Sequence, residues 1–212
     1  MTPDPDVPRR ASPYADAPRL PASETVDIRA LVRGEWLEVE IGPGRGGFLF
    51  ERALAEPRAG LVGLEVRRKW AAIVDARLAA RGLADRARVF AEDAKSALAR
   101  LGPDASVRRV FLHFPDPWWK KRHQKRRVID SGLLGEVARL LEAGGEIFVQ
   151  TDVRERAAEY QSLLSCDARF LPAGGHASDP QLRDNPYGAR SPRERRAIAD
   201  GLPVHRMCFV RA

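Results

Sequence analysis

Two cysteines in 212 residues, Cys166 and Cys208, cannot make a disulfide framework and have no metal-ligand spacing. The four histidines, His113, His123, His176 and His205, are scattered, so no metal site is predicted. No apolar run reaches the length of a membrane span, and no membrane partner is expected. The N-terminal Arg pair has no apolar segment behind it, so no secretory signal is expected either. The cytoplasm is the expected compartment. Acidic residues are outnumbered, 29 to 36, giving a net charge of +7. That excess suits a polyanionic partner or a solvated basic surface. Clustering favours the first, because six of the eight residues Lys120–Arg127 are Lys or Arg.

Hydrophobic residues at 44% are enough for one domain with a substantial core. Residues 1–23 hold six of the sixteen prolines and few large apolar groups. They read as flexible chain, and the expected division is a Pro-rich tail over 1–34 and a folded domain over 35–212. Strands are expected at Trp36–Ile41, Leu61–Glu65, Ala87–Ala91, Val107–Phe114, Glu146–Thr151 and Pro203–Val210. Between them fall helical faces: Phe48, Leu49, Ala53 and Leu54; then Trp70, Ile73, Val74 and Leu78; then Leu98 and Leu101. A fourth helix carries Leu133, Leu134, Val137, Leu140 and Leu141 and should stop at Gly144-Gly145. A fifth spans about 153–165, and 172–192 reads as a long loop. The alternation predicts an α/β fold: a Rossmann-like, doubly wound, mostly parallel sheet of about seven strands.

Glu40-Ile41-Gly42-Pro43-Gly44-Arg45-Gly46-Gly47 closes the first strand and opens a helix. Glycines there let backbone approach a ligand and expose helix N-terminal N–H groups. The spacing of Gly42, Gly44 and Gly47 also fits a dinucleotide fingerprint, so it does not choose between a nicotinamide cofactor and S-adenosylmethionine. Glu40, Glu65 and Asp93 end the first three strands. Ligands of open α/β sheets bind beyond those carboxyl ends, where an acid can hold ribose hydroxyls.

Asp116 follows the fourth strand, pinned between Pro115 and Pro117. Such a carboxylate can accept from a guanine N1–H and amino group, and Trp118 or Trp119 can stack on a base. The cations behind it can clamp phosphates. This combination points to an enzyme acting on a nucleobase within a polynucleotide.

Together these residues, above all the run from Pro115 to Arg127, resemble the bacterial tRNA (guanine-N7)-methyltransferase family. The resemblance runs from about Trp36 to the C-terminus. It implies a class I S-adenosylmethionine-dependent enzyme that makes 7-methylguanosine at variable-loop position 46 of tRNA. By motif position it implies Glu40, Gly42, Gly44, Gly46, Glu65, Asp93 and Asp116 on the cofactor side, with Asp116 the catalytic candidate. It implies substrate contacts from Lys120 and Asp152, and from Arg122, His123, Gln124, Lys125, Arg126 and Arg127. Where the family has Thr-x-Phe-Glu, this chain has Ser191-Pro192-Arg193-Glu194. The hydroxyl of Ser191 and the carboxylate of Glu194 carry over as substrate contacts, and the aromatic is lost. The expected assembly is a monomer or homodimer. Two other readings stay open. A nicotinamide-dependent oxidoreductase would need a catalytic Tyr-Lys or His arrangement that the sequence does not display. A non-catalytic RNA-binding protein would keep a degenerate cofactor pocket.

Overall fold

The computed structural model describes residues 14–115, 129–175 and 178–212. The first half runs β1 (Val26–Asp27), β2 (Trp36–Ile41), α1 (Gly47–Ala55), β3 (Ala59–Leu64), α2 (Arg68–Ala80), β4 (Ala87–Phe90) and α3 (Ala94–Arg100). The second runs β5 (Leu101–Gly102), β6 (Val107–His113), α4 (Ser131–Leu140), β7 (Leu141–Thr151), α5 (Arg154–Ser165), β8 (Phe170–Pro172), α6 (Pro192–Ala199) and β9 (His205–Arg211). Seven strands form the central sheet in the order β4-β3-β2-β6-β7-β9-β8, and β1 pairs with β5 apart from it. The five strands from β4 to β7 are parallel, and β9 runs antiparallel to β7 and β8. This is the doubly wound, mostly parallel α/β sheet that the alternation of elements predicts.

The pleat sorts side chains onto two faces. Val39, Ile41, Val62, Leu64, Val110, Leu112, Ile147 and Val149 pack with Leu98, Leu133, Val137 and Leu164 of the helices on one side. The other face is mixed. Glu38, Arg109 and Glu146 lie in register on β2, β6 and β7, followed by Phe111 and Phe148, then His113 and Gln150. Arg52 of α1 meets both Glu38 oxygens, at 2.8 and 2.7 Å, and Arg109 reaches Glu38 at 3.1 Å and Glu146 at 2.6 Å. Charges can be buried here because each has a geometric partner. Phe48, Phe111, Phe148 and Tyr187 cover this row; burying a Phe contributes about 1.5–3 kcal/mol.

Three local expectations are corrected. Gly144-Gly145 does not stop α4, which ends at Leu140; Leu141 already pairs with Val107 at the start of β7. The glycines instead accommodate a register shift in that strand, with Gly144 at φ 71°. The stretch 172–192 is not wholly loop, because Gln181 bridges to Met207 and Tyr187 and Ala189 are buried. Residues 17–34, assigned by composition to the tail, carry core side chains: Ala17, Leu20, Val26, Ile28 and Val32 are buried. No helix among the described residues is long and apolar enough to cross a membrane.

Candidate active site at the carboxyl edge of the sheet

Beyond β2 the chain turns through Gly42-Pro43-Gly44-Arg45-Gly46 into α1. Gly42, Gly44 and Gly46 have φ of 70°, 55° and 74°, a region that costs an L side chain about 1–2 kcal/mol. The surroundings of these glycines differ. A Cβ at Gly42 would meet nothing within 4 Å, whereas one at Gly46 would lie 2.4 Å from a methyl of Val74. Thus Gly46 seats α1 against α2, and Gly42 faces open ground.

Glu65 is buried at the end of β3 and accepts from the Gly44 N–H at 2.9 Å, the Arg67 N–H at 2.9 Å and Arg67 Nε at 3.1 Å. The glycine turn and the acid are therefore locked to each other. Val66 follows, 67% exposed, an apolar face beside the carboxylate. Asp93 is exposed and caps α3, accepting from the N–H groups of Lys95 and Ser96 at 3.1 and 3.2 Å. Its neighbour Glu92 is the buried one, held by Arg19 and the Leu20 N–H.

Glu40 is buried and meets His113 Nδ1 at 2.9 Å. Among the described residues, Glu40 Oε2, His113 Nε2 and Gln150 Oε1 have no partner. Unsatisfied buried polar atoms at the carboxyl ends of three neighbouring strands are what a ligand-facing edge of such a sheet would offer. His113, Gln150 and Arg206 were not among the predicted site residues. The available signal was polar residues at buried positions of apolar strands.

On the β7 side, Asp152 pairs with Arg193 at 2.9 Å. Ser191 caps α6, its Oγ accepting from the Glu194 N–H at 3.2 Å. Glu194 is not placed as a direct substrate contact. It is fully buried, with Arg206 on Oε1 at 2.9 Å and both Gln150 and Asn185 on Oε2 at 3.1 Å. Pro192 packs on the glycine turn: a Cβ at Gly47 would lie 2.5 Å from its Cδ. Asp116, Trp118, Trp119, Lys120, Arg122, His123, Gln124, Lys125, Arg126 and Arg127 lie outside the described residues. The chain leads toward them from Phe114, at φ 48°, whose N–H meets the Gln150 carbonyl at 2.8 Å.

The residues fit S-adenosylmethionine. Open ground at Gly42, a fixed acid at Glu65 and an orphaned Glu40 oxygen offer backbone approach, a ribose acceptor and an acceptor for a donor group. A cavity of about 440 Å³ lies at the opposite edge, lined by Trp36, Arg58, Arg108, Tyr187 and Cys208. Burial pushes the Cys208 thiol up to about 11, which makes it a poor nucleophile.

The His113–Glu40 contact can be tested by itself. His113→Phe keeps a ring but removes the donor, and should lower stability by about 1.5–3 kcal/mol, the value of a hydrogen bond to a charged group. His113→Asn, whose amide can take the place of Nδ1, should recover most of it. Urea denaturation giving the same midpoint for both variants would show that the contact is dispensable.

Residues 35–207 match a family described as putative methyltransferases. A tRNA (guanine-N(7)-)-methyltransferase of Anaeromyxobacter dehalogenans is 40% identical over 179 residues, covering 84% of this chain and 87% of that protein. One from Synechococcus sp. is 35% identical over 180 residues, covering 84% and 73%. Among solved structures, the 16S rRNA methyltransferase KamB superposes with a TM-score of 0.61 at 17% identity, covering 87% of this chain and 90% of that one. A geranyl diphosphate C-methyltransferase of Streptomyces coelicolor, solved with S-adenosyl-L-homocysteine, superposes with a TM-score of 0.52 at 14% identity, covering 85% and 74%. Both share the fold.

Proposed function

The chain belongs to the tRNA (guanine-N(7)-)-methyltransferase family, and on that premise we propose how its residues divide the work. It is an enzyme that transfers a methyl group from S-adenosylmethionine to guanine N7 in tRNA. The observation that carries this reading is the match of more than four-fifths of the chain to proteins bearing this one activity. Neither the nicotinamide-dependent reading nor the non-catalytic one is favoured by those relatives. We assign variable-loop position 46 as the target.

Bound S-adenosylmethionine supplies an electrophilic methyl group on a sulfonium. Glu65 takes the ribose hydroxyls on its remaining lone pairs, and the turn from Gly42 to Gly46 lets backbone come close. Glu40, held by His113, and Asp93 complete the acids of this edge. Guanine N7 has an in-plane lone pair and no proton, so no general base is required. What the chain contributes is alignment of N7 with the methyl group. Asp116 orients the base through its N–H groups and stabilises positive charge developing on the ring. Lys120, Arg122, His123, Gln124, Lys125, Arg126 and Arg127 contact the RNA. Asp152 and Ser191 border the base, and Glu194 positions the segment that carries Ser191.

Asp116→Asn tests the central role. It keeps the size, removes the charge and swaps an acceptor for a donor. Single-turnover methylation of tRNA at saturating cofactor should slow by roughly tenfold to a hundredfold, one charge-assisted hydrogen bond. Nucleoside mass spectrometry identifies the product. A folded variant that methylates N7 at the parental rate would make Asp116 a turn residue only.

A further inference from the structure

A second group of cations stands on the cofactor edge, on the β3 side. Arg45 lies within the glycine turn, and Arg67, Arg68 and Lys69 follow Glu65 into α2; all four are exposed. Arg67 pairs with Glu65. Arg45, Arg68 and Lys69 have no acidic partner among the described residues; Arg45 and Lys69 lie 5.1 and 5.7 Å from the centre of the half-buried Trp70 ring.

The charges of Arg45, Arg68 and Lys69 neutralise no acid among the described residues. The first turn of α2 holds no acid, and its N-cap, Arg67, makes no side-chain cap. The N–H groups of that first turn carry the positive end of the helix dipole, which disfavours cations. S-adenosylmethionine carries a sulfonium and an ammonium against one carboxylate, so a basic rim repels it. What such a rim attracts is a polyanion, with the indole as a stacking face between cations.

We propose that Arg68 and Lys69, with Arg45 and Trp70, form a second phosphate-contacting surface for the tRNA backbone. This rests on the reading of the chain as a tRNA methyltransferase. Its α2 residues follow β3, which lies two strand spacings (about 10 Å) from β6, the strand that leads in sequence to Lys120–Arg127. Two separated groups of phosphate contacts fix the rotation of the RNA over the site, which a single clamp leaves free.

The test is the Arg68→Ala/Lys69→Ala variant of the full chain, with Arg45 kept because its backbone belongs to the glycine turn. The slope of log affinity for tRNA against log salt should fall by about 1.4–1.8, two lost phosphate contacts. If affinities converge at 1 M salt, binding at 0.1 M salt should be about 25- to 60-fold weaker. Affinity for S-adenosylmethionine should be no lower than the parent's, and neither should the thermal midpoint. Arg68→Glu/Lys69→Glu should bind tRNA more weakly still and melt above the parent, since acids suit a helix N-terminus. A parental salt slope in either variant would reduce the cluster to a solvated face. Loss of cofactor affinity together with a lower midpoint would make it structural, and would also overturn the proposal. A parent protein that neither binds nor methylates tRNA would bring down the functional reading itself, and the surface with it.

Discussion

Replacing Glu194 with Ala is expected to destabilise the fold by about 3–5 kcal/mol and to lower the thermal midpoint by roughly 6–20 °C. Glu194 is 0% exposed, and its carboxylate joins β9 through Arg206, β7 through Gln150 and the preceding loop through Asn185. Removing it leaves the guanidinium of Arg206 buried without its counter-charge. Charges stripped of a partner in the interior are among the costliest single changes. Glu194→Met with Arg206→Met should recover part of the loss, because no orphaned charge remains. The competing view makes Glu194 a direct contact to the guanine. It requires a parental midpoint and a raised KM for tRNA, so thermal denaturation beside steady-state kinetics separates the two.

The second large effect is expected in the glycine turn. Gly46→Ala places a side chain at φ 74° and drives its Cβ to 2.4 Å from a Val74 methyl. The backbone term of about 1–2 kcal/mol and overpacking of about 1–3 kcal/mol together predict a loss of about 2–5 kcal/mol. Gly42→Ala shares only the backbone term, since its Cβ meets nothing within 4 Å. On the proposed assignment, that empty space lies where the cofactor approaches. Gly42→Ala should therefore stay folded yet bind S-adenosylhomocysteine at least about tenfold more weakly, a loss of some 1.4 kcal/mol. Calorimetry giving parental affinity for folded Gly42→Ala would remove the turn from the cofactor site.

The frame of the site was legible in the sequence because strand ends and glycine turns are local signals. Glu65 follows an apolar run directly, Glu40 is the penultimate residue of β2, Asp93 comes just past β4, and all three stand at the carboxyl edge. What could not be read was pairing between distant segments. Nothing near Glu194 announces that β9 returns antiparallel and sets Arg206 in register with Gln150. The helix α6 was missed for a related reason. Its run Pro192-Arg193-Glu194-Arg195-Arg196 is polar, and only Glu194 and Ala197 are buried, so there is no apolar stripe to recognise. The glycine pair after α4 misled because glycine marks a strand irregularity as readily as a helix stop. Composition misplaced residues 17–34, since proline-rich chain can be ordered when its few apolar groups find a surface.

That N-terminal segment has a further consequence, because of which strand it meets. β4 is the outermost strand on its side of the sheet, a position whose free backbone groups invite pairing with other chains. Just past its end, the Ala91 N–H is taken by the Pro18 carbonyl at 2.6 Å, and Arg19 closes on Glu92 beside Asp93. A proline accepts through its carbonyl but has no N–H with which to recruit another strand. Pro18 thus ends the hydrogen-bonded ladder at Ala91 instead of extending it, which disfavours edge-to-edge pairing at that corner of the sheet.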